Sequence, residues 1–318
     1  MTPLVSVYCL AYNHEKYIRS ALDGFVSQKT SFPYEVFVHD DASSDHTADI
    51  IREYAEKYPD IIKPIFQTEN QYSRCIPIYK TFIFPRIKSK YIAVCEGDDY
   101  WCDENKLQMQ VDWLENHPDY SCCVHNTRVI DCSGGKERLI NSSLEDKDIS
   151  TTEIIQWKEG LFHTSSCMYR YEYGVTPSIF SVKGIGDYPR AVYLATCGKI
   201  RYLSKVMSVY RFLTEESWSL KMYKSTNANE KSIGHYQERI EMLKRVNEYT
   251  NGKYIECIHE VIKRNEYNIL YAQNDLKTIK KDYKKYYAQL ALKDKLYANI
   301  RFYSPFLLKI YHKIYIHK

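Results

Sequence analysis

The sequence predicts an α/β fold: a mostly parallel sheet flanked by helices, continued by a helical C-terminal extension. Three observations predict it. Over the first 120 residues, short apolar runs alternate with segments of helical periodicity. Prolines and turn residues punctuate the changes from one to the other. Beyond residue 225 the Tyr, Ile, Leu and Lys spacing is almost wholly helical.

Taken in order, Leu4 to Leu10 is a near-continuous apolar strand. Asn13 reads as an N-cap, and Ile18, Leu22, Phe25 and Val26 recur at helical spacing. Glu35 to His39 is a second strand that runs into Asp40-Asp41-Ala42-Ser43-Ser44-Asp45, a turn-rich helix start. Ile50, Ile51, Tyr54, Ala55 and Tyr58 form the apolar face of the next helix, closed by Pro59. Ile62 to Phe66 is a third strand and Tyr91 to Cys95 a fourth. Asp103 caps a helix bearing Leu107, Val111 and Leu114, which Pro118 ends. From Tyr120 to Phe212 strands dominate: Ser121 to Ile130, Leu161 to Tyr169 and Lys205 to Phe212. One helix interrupts them at Tyr188 to Cys197, with Gly198 as its stop. The expected division is residues 1–225 for the α/β domain and 226–318 for the helical extension with a basic, aromatic tail.

With 318 residues, 44% hydrophobic and 26% charged, the chain is globular and long enough for a full core. Its 31 tyrosines suggest ring-stacking surfaces or a coding bias. The ten cysteines include no Cys-x-x-Cys pair, which disfavours a zinc ribbon or thioredoxin-type site. The chain opens on a strand with no leader pattern, and no apolar stretch nears the ~18 residues of a membrane span. A reduced cytoplasmic setting is the expectation.

The most telling segment is Glu96-Gly97-Asp98-Asp99-Tyr100-Trp101, at the end of the fourth strand. Crowded carboxylates raise each other's pKa, and a divalent cation relieves them. Magnesium-like ions prefer one or two protein carboxylates plus substrate phosphates. Strand ends in an open α/β sheet are also where ligands bind. Three further segments fall at strand ends or in loops beside them: Ala11-Tyr12-Asn13-His14-Glu15, Asp40-Asp41, and Gly184-Ile185-Gly186-Asp187-Tyr188-Pro189. Tyr12 suits stacking on a base, Asp40 accepting its imide N–H, Asp98 and Asp99 holding a metal on a diphosphate, and Asp187 taking a proton. The bland reading makes Asn13, Asp45 and Asp187 helix caps. Four such segments on one rim are hard to explain as caps alone.

Three motifs carry a resemblance: Val5-Ser6-Val7-Tyr8-Cys9-Leu10-Ala11-Tyr12-Asn13, Val38-His39-Asp40-Asp41-Ala42-Ser43-Ser44-Asp45-His46-Thr47, and Glu96 to Trp101. Residues 3 to 220 resemble the family 2 glycosyltransferases of the GT-A fold. The resemblance implies an inverting transfer of one sugar from a nucleotide-sugar donor, a UDP-sugar first among them, with Mn2+ or Mg2+. It implies that Ala11, Tyr12, Asn13, Glu15 and Asp40 meet the nucleoside, that Asp98 and Asp99 hold the metal, and that Asp98, Arg211 and Trp218 border the diphosphate. It makes Asp187 the catalytic base. The chain departs from the family pattern at Glu96, where Asp is usual, and at Gly186, where an acid commonly precedes the base. No Gln-x-x-Arg-Trp follows Asp187. In this family that pattern marks processive polymerases, so single addition is expected. His163, Thr164 and Ser165 fall on the expected strand from Leu161, beside an acceptor pocket, although a structural role for His163 is preferred.

From Lys277 onward the chain carries eleven Lys and Arg against two acids, net +9, which leaves −5 for the rest. Tyr286, Tyr287, Phe302, Phe306, Leu307 and Ile310 interleave with those charges. That pattern suits a helix lying in an anionic membrane interface; the alternative is a helical appendage packed on the body. The expectation is a peripheral enzyme on the inner face of the plasma membrane acting on a lipid-linked glycan, with no nucleic-acid partner. Two rivals remain. A sugar-nucleotide nucleotidyltransferase needs a Gly-rich phosphate loop after the first strand, and Leu10 to His14 contains no glycine. A non-catalytic membrane scaffold has no need of Asp98, Asp99 and Asp187.

Overall fold

The computed structural model describes residues 2–135, 137–157, 160–182, 185–214, 220 and 228–307. The chain divides into two compact units, one of Met1–Pro177 with Arg190–Tyr223 and one of Ser178–Pro189 with Lys224–Lys318.

The first unit is built on strands β1 (Val5–Ala11), β2 (Tyr34–Asp40), β3 (Ile62–Phe66), β4 (Tyr91–Val94), β5 (Tyr100–Trp101), β6 (Tyr120–Asp131), β7 (Arg138–Leu139), β8 (Lys147–Ile149), β9 (Met168–Arg170) and β10 (Lys199–Phe212). Among the described residues they form one sheet in the order β3-β2-β1-β4-β9-β6-β10-β5, with β7 on β6 and β8 on β10. β1 pairs in parallel with both β2 and β4, β2 with β3, and β6 with β10. β9 runs antiparallel between β4 and β6 and joins the two parallel halves. The parallel strands place the carboxyl ends of β1, β2 and β4 on one rim.

The alternation of side chains across β1 explains its packing. Val5, Val7, Cys9 and Ala11 share one face, and all are buried with Ile18, Ala21, Leu22 and Phe25 of α1 (Ile18–Val26). Helices α2 (Thr47–Lys57) and α3 (Lys106–Asn116) add Ile51, Tyr54, Leu107, Val111 and Leu114 to the same core. α4 (Thr151–Gln156) begins with a capping box in which Ser150 and Glu153 exchange hydrogen bonds. α5 (Tyr188–Cys197) follows the expected span.

Three local expectations are corrected. The run Leu161 to Tyr169 is a strand only at its end. Thr164–Ser166 is a 3-10 turn, with the His163 ring accepting from the Ser165 N–H, and β9 starts at Met168. Asn13 does not cap α1. It adopts φ 54°, and its side-chain oxygen accepts from the Ser44 N–H at 2.9 Å. Gly198 ends α5 because of close approach rather than a left-handed turn: a Cβ there would lie 2.8 Å from Ser121 N and 2.9 Å from Asp119 O.

In the second unit α6 (Ala228–Tyr249) and α7 (Ile255–Ala272) are joined through Asn251 and Gly252, both left-handed. Then come α8 (Leu276–Asp282), α9 (Lys284–Gln289) and α10 (Leu292–Tyr303). The tail is therefore not one interfacial helix up to residue 303. Tyr267, Leu276, Ile279 and Ala298 form a small core, and Tyr283, Tyr286, Tyr287 and Phe302 pack against it. Ile310 lies outside the described residues.

One buried group gives a testable pH dependence. Lys106 is fully buried, with Nζ 4.0 Å from the Trp101 ring centre and donating to Gln110 Oε1 at 2.7 Å. Burial lowers its pKa to about 7. The unfolded chain then binds more protons at this residue from pH 7 to roughly 10, so stability rises with pH across that window, by at most about 1.4 kcal/mol per unit. Urea unfolding at pH 7.5 and 9.5 should show that Lys106→Met loses this rise relative to wild type. An identical pH response in both proteins would mean that Lys106 stays charged in the fold.

Candidate active site

The rim is assembled by three loops that bond to one another. After β1, Asn13 N–H donates to Ser43 Oγ at 2.9 Å and Glu15 N–H to Asp45 Oδ2 at 3.0 Å. The Glu15 carboxylate in turn accepts from the His46 N–H at 3.1 Å. Asp45 also accepts from the Thr47 N–H at 3.0 Å, although His46 is the residue that precedes α2 and no side chain caps that helix. The Asp41 N–H returns to Ala11 O at 2.9 Å. These bonds fix Ala11, which is buried, and leave the Tyr12 ring 37% exposed at the rim.

Asp40 and Asp41 are both buried but do different things. Asp41 accepts from Gln71 N–H at 2.8 Å and Tyr72 N–H at 3.0 Å, holding the loop after β3. Asp40 Oδ2 accepts from Ser43 N–H at 3.2 Å, while its Oδ1 is buried with no hydrogen-bond partner. A buried acceptor without a donor is costly, and this oxygen has none among the described residues.

The third loop carries the acids. Glu96, Asp98 and Asp99 bring ligand oxygens within 4.8 Å of one another. Gly97 N–H donates to Leu10 O at 2.9 Å and ties this loop to the end of β1. A Cβ at Gly97 would meet His14 Nδ1 at 2.8 Å, Ile18 Cδ1 at 3.0 Å and Ala11 Cβ at 3.2 Å. Gly97→Ala should therefore cost about 1–3 kcal/mol by overpacking. Chemical denaturation checks this, and an unchanged midpoint would show that the two loops yield freely.

Asp99 is 1% exposed. Its Oδ1 accepts from the Arg211 N–H at 2.9 Å, and its Oδ2 has no hydrogen-bond partner among the described residues. His163 Nδ1 lies 3.7 Å from Oδ2; its ring stacks on Tyr210, and Nδ1 lies 2.9 Å from Ser165 Oγ. Burial raises the Asp99 pKa well above the carboxylate range; the Asp98 charge adds to this, and the Arg211 N–H opposes it. Asp98 Oδ2 accepts from Thr214 Oγ1 at 3.2 Å, and its carbonyl accepts from Arg211 Nη1 at 2.8 Å. The Arg211 guanidinium lies 4.5 Å from the Tyr100 ring centre. His14 stands among the three loops. Burial lowers its pKa, against the charges of Asp98, Asp45 and Asp40.

The structure thus brings Ala11, Asn13, Glu15, Asp40, Asp98, Asp99 and Arg211 onto one rim of the first unit. Asp187 opens α5 with an exposed side chain and belongs to the second unit. Trp218 lies outside the described residues. The hydroxyl of Thr214 and the ring of His163 at the acid cluster are contacts that sequence reasoning did not assign; no motif marks either. The donor set fits a divalent cation: hard oxygens, crowded charge, and a buried carboxylate oxygen that no hydrogen bond among the described residues satisfies.

A mostly parallel sheet with carboxylates gathered at the ends of its first, second and fourth strands is the arrangement of a GT-A glycosyltransferase. The chain belongs to glycosyl transferase family 2, whose family model matches residues 6–173. Its relatives include the Mycobacterium tuberculosis protein Rv1520, 37% identical over 216 residues, covering 67% of this chain and 60% of that one. The chain thus spans about 60% of that relative's length. Another is the UDP-Glc:alpha-D-GlcNAc-diphosphoundecaprenol beta-1,3-glucosyltransferase WfaP of Escherichia coli, 30% identical over 112 residues, 35% of this chain and 41% of that one. Among solved structures, S. aureus TarS 1-349 shares the fold with a TM-score of 0.55 at 17% identity, over 87% of this chain and 92% of that chain. The mannosyltransferase PcManGT of Pyrobaculum calidifontis, in complex with GDP-Man and Mn2+, shares it with a TM-score of 0.53 at 17% identity, over 96% and 82%.

Proposed function

We propose that the protein transfers one sugar, with inversion, from a nucleotide-sugar donor to a hydroxyl of a glycan acceptor. The observation that carries this reading is the pair of buried, unsatisfied carboxylate oxygens, Asp40 Oδ1 and Asp99 Oδ2, at the ends of strands flanking β1. Asp40 accepts the imide N–H of the base, and the exposed Tyr12 ring stacks on it. Asp98 and Asp99 hold Mn2+ or Mg2+, which supplies positive charge to the departing diphosphate. Arg211, anchored on the Asp98 carbonyl, adds a second cation beside the same loop. Asp187 removes the proton of the acceptor hydroxyl as it attacks the anomeric carbon from the face opposite the leaving group. A UDP-sugar and a lipid-linked acceptor are favoured, as the name of the Escherichia coli relative suggests. Incubation with UDP-glucose, UDP-GlcNAc and GDP-mannose, with manganese and a lipid diphosphate saccharide, tests it; absence of nucleoside diphosphate release from every donor would end the reading.

We further propose that the second unit finds the acceptor at an anionic bilayer. Among the described residues no helix is long and apolar enough to cross a membrane. Leu292, Leu296, Tyr303, Phe306 and Leu307 are exposed large apolar side chains on and just after α10, in the basic stretch. Replacing Leu292, Leu296 and Phe306 with Ser should reduce co-sedimentation with anionic liposomes while leaving the partly buried Tyr283, Tyr286 and Tyr287 in place. Undiminished co-sedimentation would leave this face with no membrane role.

A further inference from the structure

A cavity of 360 Å³ in the first unit is lined by Leu10, Tyr72, Tyr79, Lys80, Thr176 and Arg190, among others. Leu10 is the penultimate residue of β1, so the cavity reaches the rim that carries the acids. The lining includes two cations and no carboxylate. The Arg190 guanidinium is fixed from several sides. It lies 4.6 Å from the Tyr79 ring centre and 5.4 Å from that of Tyr169, and Nη1 donates to the hydroxyls of Tyr8, at 3.3 Å, and Tyr169. Rings and phenol oxygens therefore hold the charge in place, which preorganises it for an anion. The Tyr79 hydroxyl is buried and meets no partner in good hydrogen-bonding geometry. Its neighbours at this wall are the Tyr169 hydroxyl and the Arg190 guanidinium. Tyr72, 72% exposed, offers an aromatic face at the mouth. The volume is at the small end of the usual range for small-molecule sites.

Resting on the proposed sugar transfer, we infer that this cavity binds an anionic group of the acceptor, a phosphate or a carboxylate, next to its attacking sugar. The diphosphate of the donor already has its charge partners in the acid loop with its cation and in Arg211. A second cationic recess on the opposite face of β1 from α1 calls for a second anion, and the acceptor is the remaining substrate. In the chain Arg190 follows the proposed base by three residues.

The test titrates glycerol 1-phosphate, glucuronate and glucose into the full-length protein, alone and saturated with UDP and Mn2+, by calorimetry. One of the two anions should bind with UDP and Mn2+ in place, and glucose should bind much more weakly. Whether phosphate or carboxylate binds identifies the source. Lys80→Gln and Arg190→Gln should each weaken that anion about tenfold or more, with UDP affinity unchanged. Lys80 is exposed, so its variant reports even if Arg190→Gln fails to fold. Binding of neither anion overturns the inference, as does equal affinity in Lys80→Gln or displacement of the anion by UDP. Failure of UDP and Mn2+ to bind would instead sink the sugar-transfer reading, and the titration without nucleotide would still decide the anion site.

Discussion

Asp187→Asn should bind a nucleotide-sugar donor as tightly as wild type and lose sugar transfer by about 100-fold or more, the scale of a general base. The side chain is exposed at the start of α5, where substitutions rarely change stability by more than about 0.5 kcal/mol. Asn also caps a helix as well as Asp does. The variant keeps the shape of the side chain and removes its charge and basicity. Thermal unfolding should therefore match wild type while kcat collapses. A helix cap with no chemical role would leave kcat near wild type, and the proton acceptor would then lie elsewhere.

Asp98→Asn should weaken metal-dependent UDP binding by at least about tenfold and, in the absence of ligand, stabilise the protein by up to about 1 kcal/mol. Both effects come from the same crowding. Glu96, Asp98 and Asp99 share a space of 4.8 Å, and the Asp98 charge adds to burial in raising the Asp99 pKa. Removing one charge relieves the apo protein and takes away a cation ligand. The amide oxygen can still accept from Thr214, so the loop should hold its shape. Asp99→Asn is a harsher change, because Asp99 is buried and fixes β10 through the Arg211 N–H. A solvated acidic turn would show neither effect. Equal UDP affinity in manganese for wild type and Asp98→Asn would contradict the metal assignment.

The fold was legible where local pattern and tertiary role agree. β3 and α5 run over the expected spans, with Ile62 and Ile65 buried in the strand and Ala191 to Ala195 buried in the helix. The segment 161–169 misled because its apolar and β-branched residues fit a strand, while His163 and Ser165 bond locally into a turn. Asn13 has the composition of a cap and is instead bonded to a loop thirty residues away, which no local window shows. Asp40 and Asp41 are chemically identical in sequence. Only the loop after β3 reveals that Asp41 is spent on Gln71 and Tyr72, while Asp40 keeps one oxygen open. The tail's tyrosines read as an interfacial face, but short helices fold them against α7 and leave a smaller apolar set outside.

The central claim is that the buried carboxylate rim binds a nucleoside diphosphate with a divalent cation. Thermal unfolding of the full chain with UDP and Mn2+, singly and together, tests it most directly. Ligand at about 100 times its dissociation constant stabilises by about 2.7 kcal/mol, a clear rise in Tm. The rise should require both components and be lost in Asp98→Asn. No rise with UDP, GDP or dTDP in the presence of manganese, or the same rise in Asp98→Asn, would contradict it.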